Sequence, residues 1–239
     1  MCPGFQPPLA EWDPSHAQPT RKTPPCLALD ASPLLAGFIV LSPVTQRGWE
    51  GRQARGGDAS GASTNPASNL ENFLVCPQVQ DQLVRLLEEV SAAYPVDADR
   101  VVVTGLSMGG GGTVALAAAQ PGLFAAAAPV CGWGRPGAGR ALKDMPLWIA
   151  HGRNDVVVDA AASQALAAEA RSAGNGAVEL RLLDDQPGPR GAPEMEGHDS
   201  WTATYSDPAF WQWVRRQRRH RPTAAAPSNA ASDERRATR

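Results

Sequence analysis

The feature that most restricts the fold is a series of short, nearly uninterrupted apolar runs, Val101–Thr104, Phe124–Val130 and Pro146–Ala150, followed by a fourth short strand, Val178–Leu183. A strand that faces water on one side alternates polar and apolar residues; a strand covered on both faces reads as a continuous apolar run. Between these runs lie stretches with helical spacing. Val79–Ala93 places Val79, Leu83, Leu86, Leu87 and Val90 on one stripe and stops before Pro95. Thr113–Gln120 is a helix of small residues, ended by Pro121-Gly122. Asp159–Gly174 has Asp159 as its cap and Gly174 as its stop, and Asp207–Arg219 has Asp207 as its cap and Pro208 in first position. Leu34–Leu41 reads as a turn running into a fifth buried strand, closed by Ser42-Pro43. Strands alternating with helices predict an α/β fold, with five parallel strands and four helices on both faces of one sheet. Its crossovers should be right-handed, and its reactive groups should sit beyond the carboxyl ends of the strands.

The predicted domain spans 34–217 of the 239 residues. The head, 1–33, holds eight of the 22 prolines without apolar periodicity and reads as irregular. Gly48–Asn69 reads as a long loop. The tail, 218–239, reads as basic and disordered. The net charge of −2 hides an uneven distribution, because eight arginines and two acids fall between Arg215 and the end. The remainder carries 14 basic and 22 acidic residues, which argues against nucleic acid as a partner. No apolar run reaches the roughly 18 residues of a membrane span. The N-terminus has neither a basic start nor an apolar h-region. Cys2, Cys26, Cys76 and Cys131 show no paired or zinc-type spacing, so free thiols, no metal and a cytoplasmic location are expected.

Gly105-Leu106-Ser107-Met108-Gly109 matches G-x-S-x-G and falls between a predicted strand and a helix starting at Met108. A sharp turn there exposes the serine oxygen, and the helix N-terminus aims amides and dipole at developing negative charge. A serine nucleophile needs a base, and the base needs an orienting carboxylate. Asp155 follows the strand Pro146–Ala150 within His151-Gly152-Arg153-Asn154-Asp155, with Asp159, Asp184 and Asp185 as rivals. His198 follows the strand Val178–Leu183 within Gly197-His198-Asp199-Ser200-Trp201. Of the other histidines, His16 lies in the head, His220 lies in the tail, and His151 ends a strand where it would brace the acid loop. The chain order Ser107, Asp155, His198 is the order this fold uses. The Met108 amide is the expected oxyanion donor. Trp201, Trp133 and Trp49 are candidate substrate contacts, whereas Trp148, Trp211 and Trp213 read as core.

The stretch from Tyr94 to Gly110, with Pro129-Val130-Cys131-Gly132, His151–Asp155 and Gly197–Trp201 in order, resembles α/β-hydrolases of the phospholipase/carboxylesterase and predicted-peptidase type. That group is similar to feruloyl and polyhydroxybutyrate-type esterases. Phe38–Pro43 resembles the strand before the nucleophile helix pair. The resemblance implies hydrolysis of a small-molecule ester through an acyl-enzyme without a cofactor, with peptides or acyl-thioesters as alternatives. Members of that group begin with two or three further strands, the last followed by a His-Gly loop that completes the oxyanion hole. No such motif precedes Ser107, so the domain is expected to be N-terminally truncated. The second oxyanion donor is unassigned; Arg47-Gly48-Trp49 is a loop that could reach the site. A non-catalytic paralogue acting as a binding protein is the alternative from a different class. Oligomeric state is not encoded in any motif.

Overall fold

The computed structural model describes residues 32–43, 77–189 and 192–219. The head up to residue 31, the Gly48–Asn69 loop with Trp49, and the tail beyond Arg219 lie outside the described residues. Four strands form one parallel sheet in the order β1 (Val102–Leu106), β2 (Ala126–Val130), β3 (Leu147–Gly152), β4 (Val178–Leu183). Among the described residues, six helices join or flank them: α1 (Pro77–Ala93), α2 (Met108–Ala119), α3 (Ala138–Ala141), α4 (Ala161–Ser172), α5 (Ser200–Ser206) and α6 (Pro208–Arg216).

The continuous apolar runs are what two covered faces require. In β2, Ala126, Ala128 and Val130 belong to one core, while Ala127 belongs to the other. In β3 the alternation is Trp148 and Ala150 against Leu147 and Ile149. The first core is aromatic: Trp201, Tyr205, Phe210, Trp211 and Trp213 from α5 and α6 close on Trp148. Phe210 meets Trp148 edge-on at 5.6 Å between ring centroids, a geometry that adds to simple burial. The second core joins Val114 and Ala117 of α2 to Leu166, Ala167 and Ala170 of α4. Each fully buried large side chain contributes about 1.5–3 kcal/mol relative to an exposed one.

The fifth strand is a correction. Residues 38–41 form no ladder, and only Pro33–Leu35 is regular there, as a 3₁₀ turn. Phe38 and Val40 pack on the aromatic core, while Ile39 is 51% and Leu41 39% exposed. Phe38 and Val40 are placed by packing on the aromatic core rather than by a ladder: among the described residues the pairings are β1 with β2, β2 with β3 and β3 with β4, and 38–41 joins none of them.

Helix ends obey local chemistry. Asp207 caps α6 by accepting from the Ala209 N–H, with Pro208 in the first turn. Gly174 adopts φ +98° just past α4. The predicted terminal helix ends at Arg216, and the arginines after it lie against the domain. Arg218 pairs with Asp97 at 2.9 Å, Arg219 pairs with Asp99 at 3.0 Å and reaches the Gly122 carbonyl, and Arg215 donates to the carbonyls of Ala36 and Leu34. Among the described residues, no helix is long and apolar enough to cross a membrane.

Candidate active site

Ser107 sits between β1 and α2 with φ 52° and ψ −118°, a conformation that L-residues with a Cβ rarely adopt. Its N–H is held from β2, by the Val130 carbonyl at 2.9 Å and the Cys131 Sγ at 3.3 Å. Cys131 is itself at φ 39°. The approach of α2 to β2 explains the glycine run. A Cβ on Gly110 would lie 2.5 Å from the Val130 carbonyl oxygen, and a Cβ on Gly132 would lie 2.6 Å from the Gly110 backbone. Only glycine at both positions lets the helix that starts after Ser107 come this close.

The three residues from three strand ends converge. Ser107 Oγ lies 2.9 Å from His198 Nε2, and His198 Nδ1 lies 2.8 Å from Asp155 Oδ2. Asp155 Oδ1 accepts the N–H groups of Val157 at 2.8 Å and Val158 at 3.0 Å, an Asx-type turn within its own loop. Both ionisable partners are buried: the side chain of Asp155 is 0% and that of His198 2% exposed. Burial alone would push the Asp155 carboxyl up. The bonds from His151, His198, Val158 and Val157 outweigh it and hold the group well below the usual carboxylate range. An ionised Asp155 makes Nδ1 the donor, which turns the Nε2 lone pair toward Ser107.

The loops carrying Asp155 and His198 are fastened to each other. Asn154 donates to the Gln186 carbonyl at 3.1 Å and accepts the Gln186 N–H at 3.1 Å. Gly197, at φ 81°, has no room for a Cβ because the Asn154 backbone fills that space. Asp199 caps α5 through the Thr202 N–H, which fixes the helix that follows His198.

The remaining candidates separate. Met108 begins α2, and its side chain is 37% exposed beside Ser107. The first N–H groups of a helix have no intrahelical acceptor, so the Met108 amide is available there. Trp201, expected at the site mouth, is 5% exposed; its ring stands edge-on to the His198 ring, with centroids 5.4 Å apart. It walls the imidazole rather than the entrance. Trp133 is half-buried and lines a cavity of about 310 Å³ with Gln80, Gly111, Val114, Ala115 and Ala118. That cavity lies along the flank of α2, and neither Ser107 nor His198 lines it. Among the rival acids, Asp184 pairs with Arg153 at 2.7 Å and Asp159 accepts the Ala161 N–H.

Cys131 Sγ, an Asp155 carboxylate oxygen and a His198 nitrogen lie within 4.8 Å of one another, a set that could in principle hold a cation. Burial pushes the Cys131 thiol up to about 12, against smaller opposing bonds from Ser200 and Ser107. The carboxylate and imidazole are already bonded to each other. Sequence reasoning missed three contributors here: the Cys131 contact under Ser107, the Asn154 fastening and the paired amides of Val157 and Val158. Only the last had a readable signal, an aspartate followed by a turn.

A family model described as PETase: PET hydrolase-like matches residues 77–170. No curated protein matches. Among solved structures, a thermostable esterase is 32% identical with a TM-score of 0.51, over 58% of this chain and 36% of that one. SOBER1 of Arabidopsis thaliana is 20% identical, with a TM-score of 0.45 over 59% of this chain and 63% of that one. Acyl-protein thioesterase 2 of Zea mays is 18% identical, with a TM-score of 0.35 over 58% and 66%. The chain thus spans about a third of the length of the esterase it matches, and of these three only that esterase exceeds a TM-score of 0.5.

Proposed function

We propose that the chain is an α/β-hydrolase of carboxylesterase and phospholipase type, a serine hydrolase cleaving carboxylic esters. The observation that carries this reading is the continuous chain Ser107 Oγ, His198, Asp155, at 2.9 and 2.8 Å. Nothing else in the fold requires a serine in a strained turn to face a buried imidazole backed by an ionised acid.

In this mechanism the Ser107 oxygen attacks the ester carbonyl carbon while its proton passes to His198 Nε2. Asp155 holds Nδ1–H and stabilises the imidazolium. The carbonyl oxygen gains negative charge, which the Met108 amide and the N-terminus of α2 meet. Collapse breaks the ester C–O bond. The leaving alkoxide takes the proton from His198, and the acyl group stays on Ser107. Water then repeats the sequence: it loses a proton to His198, attacks the acyl carbon and releases the acid, and Ser107 recovers its proton.

The proposed catalytic residues are Ser107, Asp155 and His198, with Met108 as oxyanion donor. Trp133, beside the α2 cavity, is the proposed substrate contact; Trp201 acts through the His198 ring. A fluorophosphonate probe should label the full chain, and Ser107→Ala should abolish labelling. Labelling that survives that change refutes the assignment. A panel of p-nitrophenyl esters, thioesters and peptide amides then ranks the substrate classes.

A further inference from the structure

Beneath this site lies a second fully buried histidine with hydrogen-bond partners at both ring nitrogens. His151, the fifth residue of β3, is 0% exposed. Its Nε2 lies 2.8 Å from the Val158 carbonyl oxygen and 3.2 Å from Asp155 Oδ2, the same oxygen that takes His198 Nδ1. Its Nδ1 lies 2.7 Å from Ser163 Oγ, and that hydroxyl lies 3.2 Å from the Gly132 carbonyl oxygen.

The hydrogen bookkeeping settles one end of the ring. A carbonyl and an ionised carboxylate can only accept, so Nε2 must carry a proton. At the other end Ser163 has two choices. It donates to Nδ1 when the ring is neutral, or it accepts from Nδ1–H and turns its own proton to Gly132. A hydroxyl rotor beside Nδ1 lets the ring keep Nε2–H aimed at Asp155 in either state without leaving a buried group unpaired.

We propose that His151 is a positioning residue of the active site: a second imidazole on Asp155 that divides the carboxylate with His198 and ties it, through Ser163, to the Gly132 end of β2 beside Cys131 and the Ser107 turn. The inference rests on the Ser107–His198–Asp155 reading above. A carboxylate oxygen with two imidazole donors gives less stabilisation to a His198 imidazolium than one with a single donor. The other groups facing this centre are Cys131 from the end of β2, Ser163 from α4, and His198 and the buried Asp199 around the start of α5. Asp159, Glu196 and the Arg153–Asp184 pair lie on the solvent side of the loops.

The test uses the full 239-residue chain with His151→Leu and His151→Gln, read by fluorophosphonate labelling rate and p-nitrophenyl acetate turnover across pH. Leucine fills the space without a donor; the glutamine amide can place an N–H near the lost Nε2. For the leucine variant, labelling should slow about tenfold, as for loss of a hydrogen bond to a charged group. The acid limb of its profile should move to higher pH, because His198 now has Oδ2 to itself. Glutamine should restore part of the rate and return the limb toward the wild-type position. Unchanged rate and limb in both variants, or equal loss in both without movement of the limb, overturns the proposal. If the leucine variant does not fold, Ser163→Ala and His151→Gln decide it by the same displacement of the limb. A wild-type chain whose labelling is insensitive to Ser107→Ala refutes the underlying reading instead, whatever the His151 variants do.

Discussion

Asp155→Asn is the most exacting perturbation of the proposed site, because the structure dictates what the new amide must do. Oδ1 of Asp155 accepts two backbone N–H groups, from Val157 and Val158. An asparagine keeps its oxygen there, since the reverse orientation would lose both bonds and face amide hydrogens against amide hydrogens. Its NH₂ must then occupy the Oδ2 position and point at His198 Nδ1, 2.8 Å away in the parent. A donor facing Nδ1 forces the other tautomer, which puts the proton on Nε2, toward Ser107 Oγ. The ring then has no lone pair for the serine proton. Where this tautomer error has been isolated in a serine hydrolase, kcat falls by about 10⁴, equivalent to about 5–6 kcal/mol of transition-state stabilisation. The fold should survive, because shape and the Oδ1 bonds are kept and the His151 Nε2–H, which loses its contact to Oδ2, still has the Val158 carbonyl at 2.8 Å. The assay is kcat on p-nitrophenyl acetate, with a thermal melt to confirm folding. A folded variant that retains more than about a tenth of parental kcat contradicts the role given to Asp155.

Four further outcomes follow from the same coordinates. The Asp155 carboxyl is held low in the folded chain, so its contribution to stability is present above the unfolded carboxylate pKa of about 4 and lost as pH falls toward the folded value; Asp155→Asn should flatten the loss of Tm below about pH 4. Gly109→Ala should be neutral or stabilising by up to about 1 kcal/mol, because a Cβ there meets nothing within 4 Å; Gly110→Ala, one residue on, should lower Tm despite the same gain in helix propensity. Cys131, fully buried with its thiol pushed up to about 12, should resist a thiol reagent at pH 8 in the folded chain and react after denaturation, a slow phase that Cys131→Ala removes. Arg219→Ala should cost more Tm than Arg218→Ala, since the Arg219–Asp99 side chains are 22% and 21% exposed against 58% and 47% for Arg218–Asp97, and exposed pairs contribute at most about 1 kcal/mol.

How much of this fold could be read in advance depended on whether the signal was local. The inner strands Ala126–Val130 and Leu147–Gly152 are buried throughout, and their continuous hydrophobicity records that directly; Val178–Leu183 at the sheet edge alternates instead, with Glu179 and Arg181 paired at 2.7 Å. Phe38–Leu41 carries the same composition, yet it forms no strand. Apolar content records a preference for burial, but a ladder also needs a neighbour's backbone, which no property of the segment supplies. The helix α3 failed in the opposite sense. Ala138–Ala141 has no apolar stripe, and its turn is held from outside, by Glu169 of α4 accepting the N–H groups of Gly137 at 2.6 Å and Gly139 at 2.8 Å. The aromatic helix α5 was hidden for a related reason: Ser200–Ser206 spans barely two turns, too short for a period to show.

For the candidate site, sequence reasoning reached identities and order but not connectivity. Ser107, Asp155 and His198 each follow a strand, and a parallel sheet delivers all such positions to one edge, so topology alone brings them near. The contacts that set orientation are of another kind. The Ser107 N–H to Cys131 Sγ, the reciprocal Asn154–Gln186 pair and the His198 imidazole on Asp155 Oδ2 join residues 24, 32 and 43 positions apart, across loops with no periodic pattern. Each is chemically generic: any thiol, amide or imidazole could have served elsewhere. What makes them specific is the glycine geometry at Gly110, Gly132 and Gly197, which brings backbones so close that only particular side chains fit between them. The glycines were visible in the sequence, but as permission for close approach and not as a statement of which partners would meet.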